Sequence, residues 1–214
     1  MPKKHRRESD MRPSSPVSKP WTPPPGSTNN GGGGNGRSGG HPPPSLADLC
    51  DMHVASPDRL SVVEPGLLRS YGGRAKFGGK VECVRCFESN LTVRAALSND
   101  GHGRVLVVDG GGSTRAALLG DELAKLAIDN GWCGVILHGC VRDSSILRTM
   151  DLGVLATGTH PVRSIKTYPG ERGVNVNFGG VEFVPGRWVY SDMDGVLVSE
   201  NPIHLDDGRG DGGH

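Results

Sequence analysis

Residues 104–143 read RVLVVDGGGSTRAALLGDELAKLAIDNGWCGVILHGCVRD, and the fold is decided in this stretch. Arg104–Asp109 is an apolar, β-branched run, the composition of a buried strand. Gly110–Gly112 break the run, as a tight turn or a close backbone approach requires. From Asp121 to Asn130 the apolar residues change to helical spacing, with Leu123, Leu126 and Ala127 on one face and Ala124 beside them. Asn130-Gly131 is a helix stop. Gly134–Leu137 is a second apolar run, followed by Gly139-Cys140-Val141-Arg142-Asp143. Strand, helix, strand is the simplest structure, with a right-handed crossover.

That order says where chemistry can sit. Gly120-Asp121 falls at a helix start, where free backbone N–H groups and the helix dipole favour an anion. Arg142-Asp143 falls just past a strand end. Adjacent parallel strands bring both corners to the carboxyl edge of the sheet, the edge at which open α/β sheets place ligands. Each element also has a plain structural reading. Asp121 is a favoured helix-start residue, Arg142-Asp143 reads equally as a solvated pair, and the glycines serve turns. The combination argues for a site, but spacing alone names no reaction.

Outward from this core, the chain of 214 residues with 35% apolar content is long enough for one sizeable domain. Residues 1–44 hold ten of the sixteen prolines and eight glycines, and they read as a disordered arm. That arm carries seven Lys/Arg against Glu8 and Asp10, so the overall net charge of +1 conceals a basic arm on a mildly acidic body. Lys3-Lys4-His5-Arg6-Arg7 could be a nuclear address or a nucleic-acid patch. With no interleaved aromatics beyond Trp21 it reads as a solvated basic tail, and direct nucleic-acid binding is not expected. No apolar run is long enough to span a bilayer, and no signal peptide or clear transit helix is present, so a cytoplasmic protein is expected. The folded domain is expected over residues 45–203, with 204–214 a flexible tail.

Within that domain, Ser45–Asp51 reads as a capped helix with Leu46, Leu49 and Cys50 inward. Tyr71–Gly79 reads as a glycine-rich loop and Lys80–Phe87 as a strand. Asn90–Leu97 reads as a short helix. Past Asp143 come short strands at Val154–Ala156, Val162–Lys166, Val174–Phe178, Val181–Val184, Trp188–Tyr190 and Val196–Val198. Cys83 and Cys86 have C-x-x-C spacing, but residues three apart on a strand point to opposite faces and cannot share one metal. The five cysteines are odd in number and sit in apolar runs, as reduced, buried thiols do. His138 and His160 read as core or surface residues rather than catalytic ones.

The stretch from GGGS (Gly110–Ser113) through GDELA (Gly120–Ala124) to the G-x-x-R-D of residues 139–143 resembles the signature of the RraA-like family. The resemblance runs from about Leu46 to Pro202. It includes DLCD (Asp48–Asp51), the Gly72–Gly79 loop, VNFGGV (Val176–Val181) and SDMDGVLVSE (Ser191–Glu200). Several spaced motifs in order are more specific than one glycine pattern. The family includes 4-hydroxy-4-methyl-2-oxoglutarate aldolases, which also decarboxylate oxaloacetate, and the protein called regulator of ribonuclease activity A. The resemblance implies an α/β fold, layered β/β/α and swivelling-domain-like, with a central mixed sheet, assembled as a homotrimer or a dimer of trimers. It implies that Gly120, Asp121, Glu122 and Leu123 bind the pyruvate part of the substrate, chiefly through backbone N–H groups, and that Arg142 binds substrate. It further implies that Asp143 ligates a divalent metal, usually Mg²⁺ with Mn²⁺ the alternative, and that Asp121 holds metal-bound water. The proton-accepting base is expected to be metal-bound water or hydroxide, with Glu200 of a neighbouring subunit the nearest acidic candidate. The other family role is a non-catalytic regulator that masks an RNase E-type ribonuclease. Regulator members can lack the Asp of the Arg-Asp pair and the glycine before Asp121. This chain keeps both, which favours the lyase.

Overall fold

The computed structural model describes residues 45–52 and 60–203. The expected basic arm (1–44) and C-terminal tail (204–214) lie outside the described residues. Helix α1 (Leu46–Met52) opens the chain. Ser45 caps it reciprocally: Asp48 N–H donates to Ser45 Oγ, and Ser45 N–H donates to the Asp48 carboxylate. Edge strands β1 (Leu60–Val62) and β2 (Arg69–Ser70) precede the long strand β3 (Phe77–Arg85). Helix α2 (Leu91–Leu97), strand β4 (Val105–Asp109), strand β5 (Ala117–Leu119) and helix α3 (Asp121–Asp129) follow. Strand β6 (Gly134–Val141), the one-turn helix α4 (Ser144–Leu147) and strand β7 (Gly153–Thr159) complete the α/β half. The remainder is strand: β8 (Glu171–Arg172), β9 (Val176–Phe178), β10 (Val181–Phe183), β11 (Trp188–Ser191) and β12 (Val196–Ser199).

The main sheet runs β1-β12-β11-β3-β4-β6-β7-β2, with β5 added beside β6 and β8 beside β3. The central strands β3, β4, β6 and β7 are parallel, and the strands flanking them are antiparallel, so the sheet is mixed. Strand β4 is covered on both faces, and its side chains alternate between two cores. Leu106 and Val108 meet Val93, Leu97, Leu123 and Ala127 on the helical side. Val105 and Val107 meet the β9–β10 hairpin through Val176, Phe178 and Phe183. A strand covered on both faces needs a continuous apolar run, which is why VLVVD carries one. Helices on one side and a hairpin layer on the other give the β/β/α layering. Among the described residues, no helix is long and apolar enough to cross a membrane.

Three expectations need correction. Phe77–Gly79 belong to β3 rather than to the preceding loop. Residues 162–166 form no strand and touch the sheet only through single bridges, Arg163 to Ala117 and Ile165 to Ser89. Helix α4 was not foreseen. The cysteine reading holds for four of the five: Cys83 packs in the hairpin-side core, Cys86 in the helix-side core, and Cys133 and Cys140 are buried, whereas Cys50 is only half-buried. Burial pushes the Cys83 and Cys86 thiols up to about 12, so both are protonated at neutral pH.

Candidate active site

The two corners meet. Strand β5 pairs with the end of β6, and Arg142 N–H donates to Leu119 O at 2.9 Å. This lays Gly120, the residue before α3, against the Arg142-Asp143 pair. A Cβ on Gly120 would stand 2.7 Å from Asp143 Oδ2 and 3.1 Å from Arg142 Cγ and Nε, so any larger residue would push on both side chains. Arg142 Nε lies 3.1 Å from Asp143 Oδ2, close enough for an ion pair. Asp143 Oδ2 is nevertheless buried without a hydrogen bond, because the guanidinium N–H is not aimed at it.

Asp143 itself is held in the left-handed region, at φ 54° and ψ 36°. Asp tolerates this conformation better than most residues, but it still costs on the order of 1 kcal/mol. The chain turns there from β6 into α4, whose Ile146 and Leu147 N–H groups donate to Asp143 O. The turn takes the carboxylate off the strand and sets it under the start of α3.

A cleft of about 100 Å³ opens at this point, lined by Asn90, Arg94, Gly120 to Leu123, Arg142, Arg163, Ser164 and Lys166, among others. Four cations and a helix start make it a site for an anion. The helix start is only partly free. Glu122 N–H donates to Asp121 Oδ1 at 2.8 Å, so that donor is occupied. Leu123 N–H has no acceptor among the described residues, since the first intrahelical bond is Ala124 N–H to Gly120 O. Of the expected backbone donors, those of Gly120, Asp121 and Leu123 have no acceptor among the described residues, while that of Glu122 must first be released by Asp121.

Other polar atoms of the cleft are buried without partners: Asn90 Oδ1, Arg94 Nε and Ser164 Oγ. Asn90 is fixed by its Nδ2 donating to Leu118 O at 3.3 Å, and Arg94 leans on Glu122 at 3.5 Å. Sequence reading missed Asn90, Arg94, Arg163, Ser164 and Lys166. The last three sit in the segment expected to be a strand, and only its bridges to β5 and to Ser89 carry it to the cleft. Glu200 is not brought to the cleft of its own chain; it pairs with Arg187 at 2.9 Å. His138 pairs with Asp109 at 3.2 Å, its parallel-strand neighbour, and stacks on Phe178, away from the cleft lining. His160 accepts from Val162 N–H through its ring, at 3.3 Å.

Known proteins share this chain's sequence and architecture. A family model described as RraA-like, Aldolase/RraA, matches residues 46–198. A protein of Aromatoleum aromaticum, provisionally named 4-hydroxy-4-methyl-2-oxoglutarate aldolase, is 52% identical over 157 residues, covering 73% of this chain and 96% of that relative. A Geobacillus kaustophilus structure, solved under the name S-adenosylmethionine: 2-dimethylmenaquinone methyltransferase, superposes with TM-score 0.72 at 48% identity, over 77% of this chain and 99% of that one. The RNA-processing inhibitor RraA from Thermus thermophilis superposes with TM-score 0.70 at 40% identity, over 78% and 98%. A family model spanning the whole described α/β body, together with relatives near half identity, shows that the chain belongs to the RraA-like family.

Proposed function

We propose that this chain is a divalent-metal-dependent lyase. It cleaves 4-hydroxy-4-methyl-2-oxoglutarate to two molecules of pyruvate and decarboxylates oxaloacetate to pyruvate and carbon dioxide. The observation that carries the reading is the buried, hydrogen-bond-free Asp143 Oδ2 beside Arg142 and the start of α3. A carboxylate oxygen buried without a donor is costly unless a cation completes it. A single direct carboxylate suits Mg²⁺, which keeps several waters and takes its remaining ligands from substrate. Asp143 would hold the ion, with Asp121 holding an ion-bound water, and Mn²⁺ would serve as the alternative metal. When bound, the metal supplies Lewis acidity at the 2-keto oxygen.

The protein's own groups do the rest. Leu123 N–H and the α3 dipole take the substrate carboxylate next to the keto group. Arg142 binds the same end and opposes the negative charge that grows as the C–C bond breaks, worth most when its donor is already in place. Arg163, Ser164 and Lys166 face the second carboxylate. Aldol cleavage and β-decarboxylation both leave pyruvate enolate, so one cleft serves both substrates. The cleft's cationic lining of Arg94, Arg142, Arg163 and Lys166 suits a small dicarboxylic oxo acid.

The test is pyruvate release, coupled to NADH oxidation, from both substrates with Mg²⁺, with Mn²⁺ and with a chelator. Metal-dependent release is expected from each. The kinship with an RNA-processing inhibitor supports a second reading, that the protein masks an RNase E-type ribonuclease. The same preparation is therefore assayed for ribonuclease inhibition. Inhibition without pyruvate release under any divalent metal would replace the lyase with the regulator.

A further inference from the structure

The basic arm joins the domain beside a groove. The family match begins at residue 46, so the arm is additional to the family domain. The described chain begins at Ser45, and its entry is fixed: Leu46 N–H donates to Asp192 Oδ2 at 2.8 Å. Asp192 lines a groove of about 250 Å³ together with Val62, Glu64, Leu68, Met193 and Asp194. The arm thus leaves the domain at the groove wall.

The groove has an apolar surface and an acidic rim. Met193 is 81% exposed and Val62 57%, both high for apolar side chains. Glu64 and Asp194 are exposed, and neither has an ion-pair partner among the described residues. Strand β1, which contributes Val62, is the edge of the main sheet. The occupant this chemistry calls for is apolar, basic and extended.

The arm contains one such segment. Residues 19–25 read Lys-Pro-Trp-Thr-Pro-Pro-Pro and hold the arm's one aromatic residue. Proline-rich segments dock in apolar grooves because their extended form is preset and little entropy is lost. Between Pro25 and Ser45 the sequence is chiefly glycine, serine and asparagine. A glycine-rich tether of about twenty residues reaches roughly 25 Å, which holds the segment near its groove at ~1 mM effective concentration.

We propose that Lys19–Pro25 docks in this groove of its own chain, with Trp21 against Met193 and Val62 and Lys19 on the Glu64–Asp194 rim. At a segment affinity of ~0.3 mM the groove would be covered about three-quarters of the time.

The full-length chain tests this. With Trp21 replaced by the photocrosslinker p-benzoylphenylalanine, irradiation should join residue 21 to Met193 or Val62 within one chain, independent of concentration. Adducts outside the groove overturn the proposal, as do adducts formed only between chains at rising concentration. Hydrogen exchange of Trp21→Ala against the unaltered chain should show about fourfold faster exchange at residues 62–66 and 193–196; equal exchange overturns it. Lys19→Glu should give the same loosening, and Asp194→Lys added to it should restore protection. All these positions lie outside the catalytic cleft.

Discussion

Asp143 concentrates what is unusual in this chain: a left-handed backbone, a buried oxygen without a hydrogen bond and an unaligned arginine beside it. Asp143→Asn should keep the fold and lose at least ~10²-fold of metal-dependent pyruvate release, because an amide oxygen brings no charge to hold Mg²⁺ against water. Full activity in that variant would show that Asp143 is not the ligand. Arg142→Lys should also be costly, since an ammonium cannot reproduce the planar two-point grip on a carboxylate. The Arg-Asp pair was legible in sequence. The orphaned oxygen was not, because it depends on the φ of one residue and on a glycine 23 positions earlier in the chain. A second carboxylate works for stability instead. Arg74 grips Asp151 through two hydrogen bonds of 3.0 and 2.9 Å and holds its carboxyl below the usual value. A lowered folded-state pKa gives stability that is present above the unfolded value of ~3.9 and is lost as pH falls through the folded one. Asp151→Asn should therefore lower the thermal midpoint slightly at pH 7, and the gap should narrow as pH falls below the unfolded value. The effect stays under about 1 kcal/mol, because the Asp151 side chain is 58% exposed and screened by water.

The elements were legible where one physical signal dominated. Strand β4, buried on both faces, must be an unbroken apolar run, and α3 must show helical spacing because one face meets the sheet. Reading failed where the signals conflicted. Phe77–Gly79 carry two glycines, which spoke for a loop, yet they are strand because they pair with Ser191, Tyr190 and Val189 of β11, and position 79 is glycine because Gly103 O crowds the place a Cβ would take. Residues 162–166 look like a strand from composition, but their neighbours grant only single bridges. Helix α4 is too short to show a period. The start of α3 yields a sharper test. Gly120→Ala would put a methyl group 2.7 Å from Asp143 Oδ2, so the Asp143 carboxylate, with Arg142 beside it, must shift. The variant should fold and lose activity about as severely as Asp143→Asn, while thermal unfolding shows a smaller change than for a core truncation, which costs ~2–5 kcal/mol. Near-normal turnover would mean that the close approach is not needed for catalysis.

Beside the cleft the domain leaves a group of apolar side chains open. Phe87, Val162, Ile165 and Tyr168 are 57, 56, 53 and 67% exposed, on the segments that carry Asn90 and Arg163 to Lys166 into the cleft. Scattered exposed apolar residues are ordinary, but several on adjoining segments mark an interface. Residues 1–44 carry no core-forming apolar pattern, so deleting them should leave the thermal midpoint within a few degrees and the assembly unchanged. A copy of the same chain seated on this apolar group would close the cleft and exclude water from it. Within its own chain Glu200 is held by Arg187 at 2.9 Å, outside the cleft. We expect a trimer, or a pair of trimers, with the cleft at the subunit boundary. Light scattering of the unaltered chain at micromolar concentration should give a mass that is a multiple of three chains, and a monomer would defeat both the assembly and the shared cleft. Ile165→Asp with Tyr168→Asp would bury two carboxylates at that boundary, so the assembly should fall to monomers that keep their circular dichroism. If cleft closure depends on the neighbour, those monomers should also lose pyruvate release. Monomers that turn over normally would show that each chain holds a complete site.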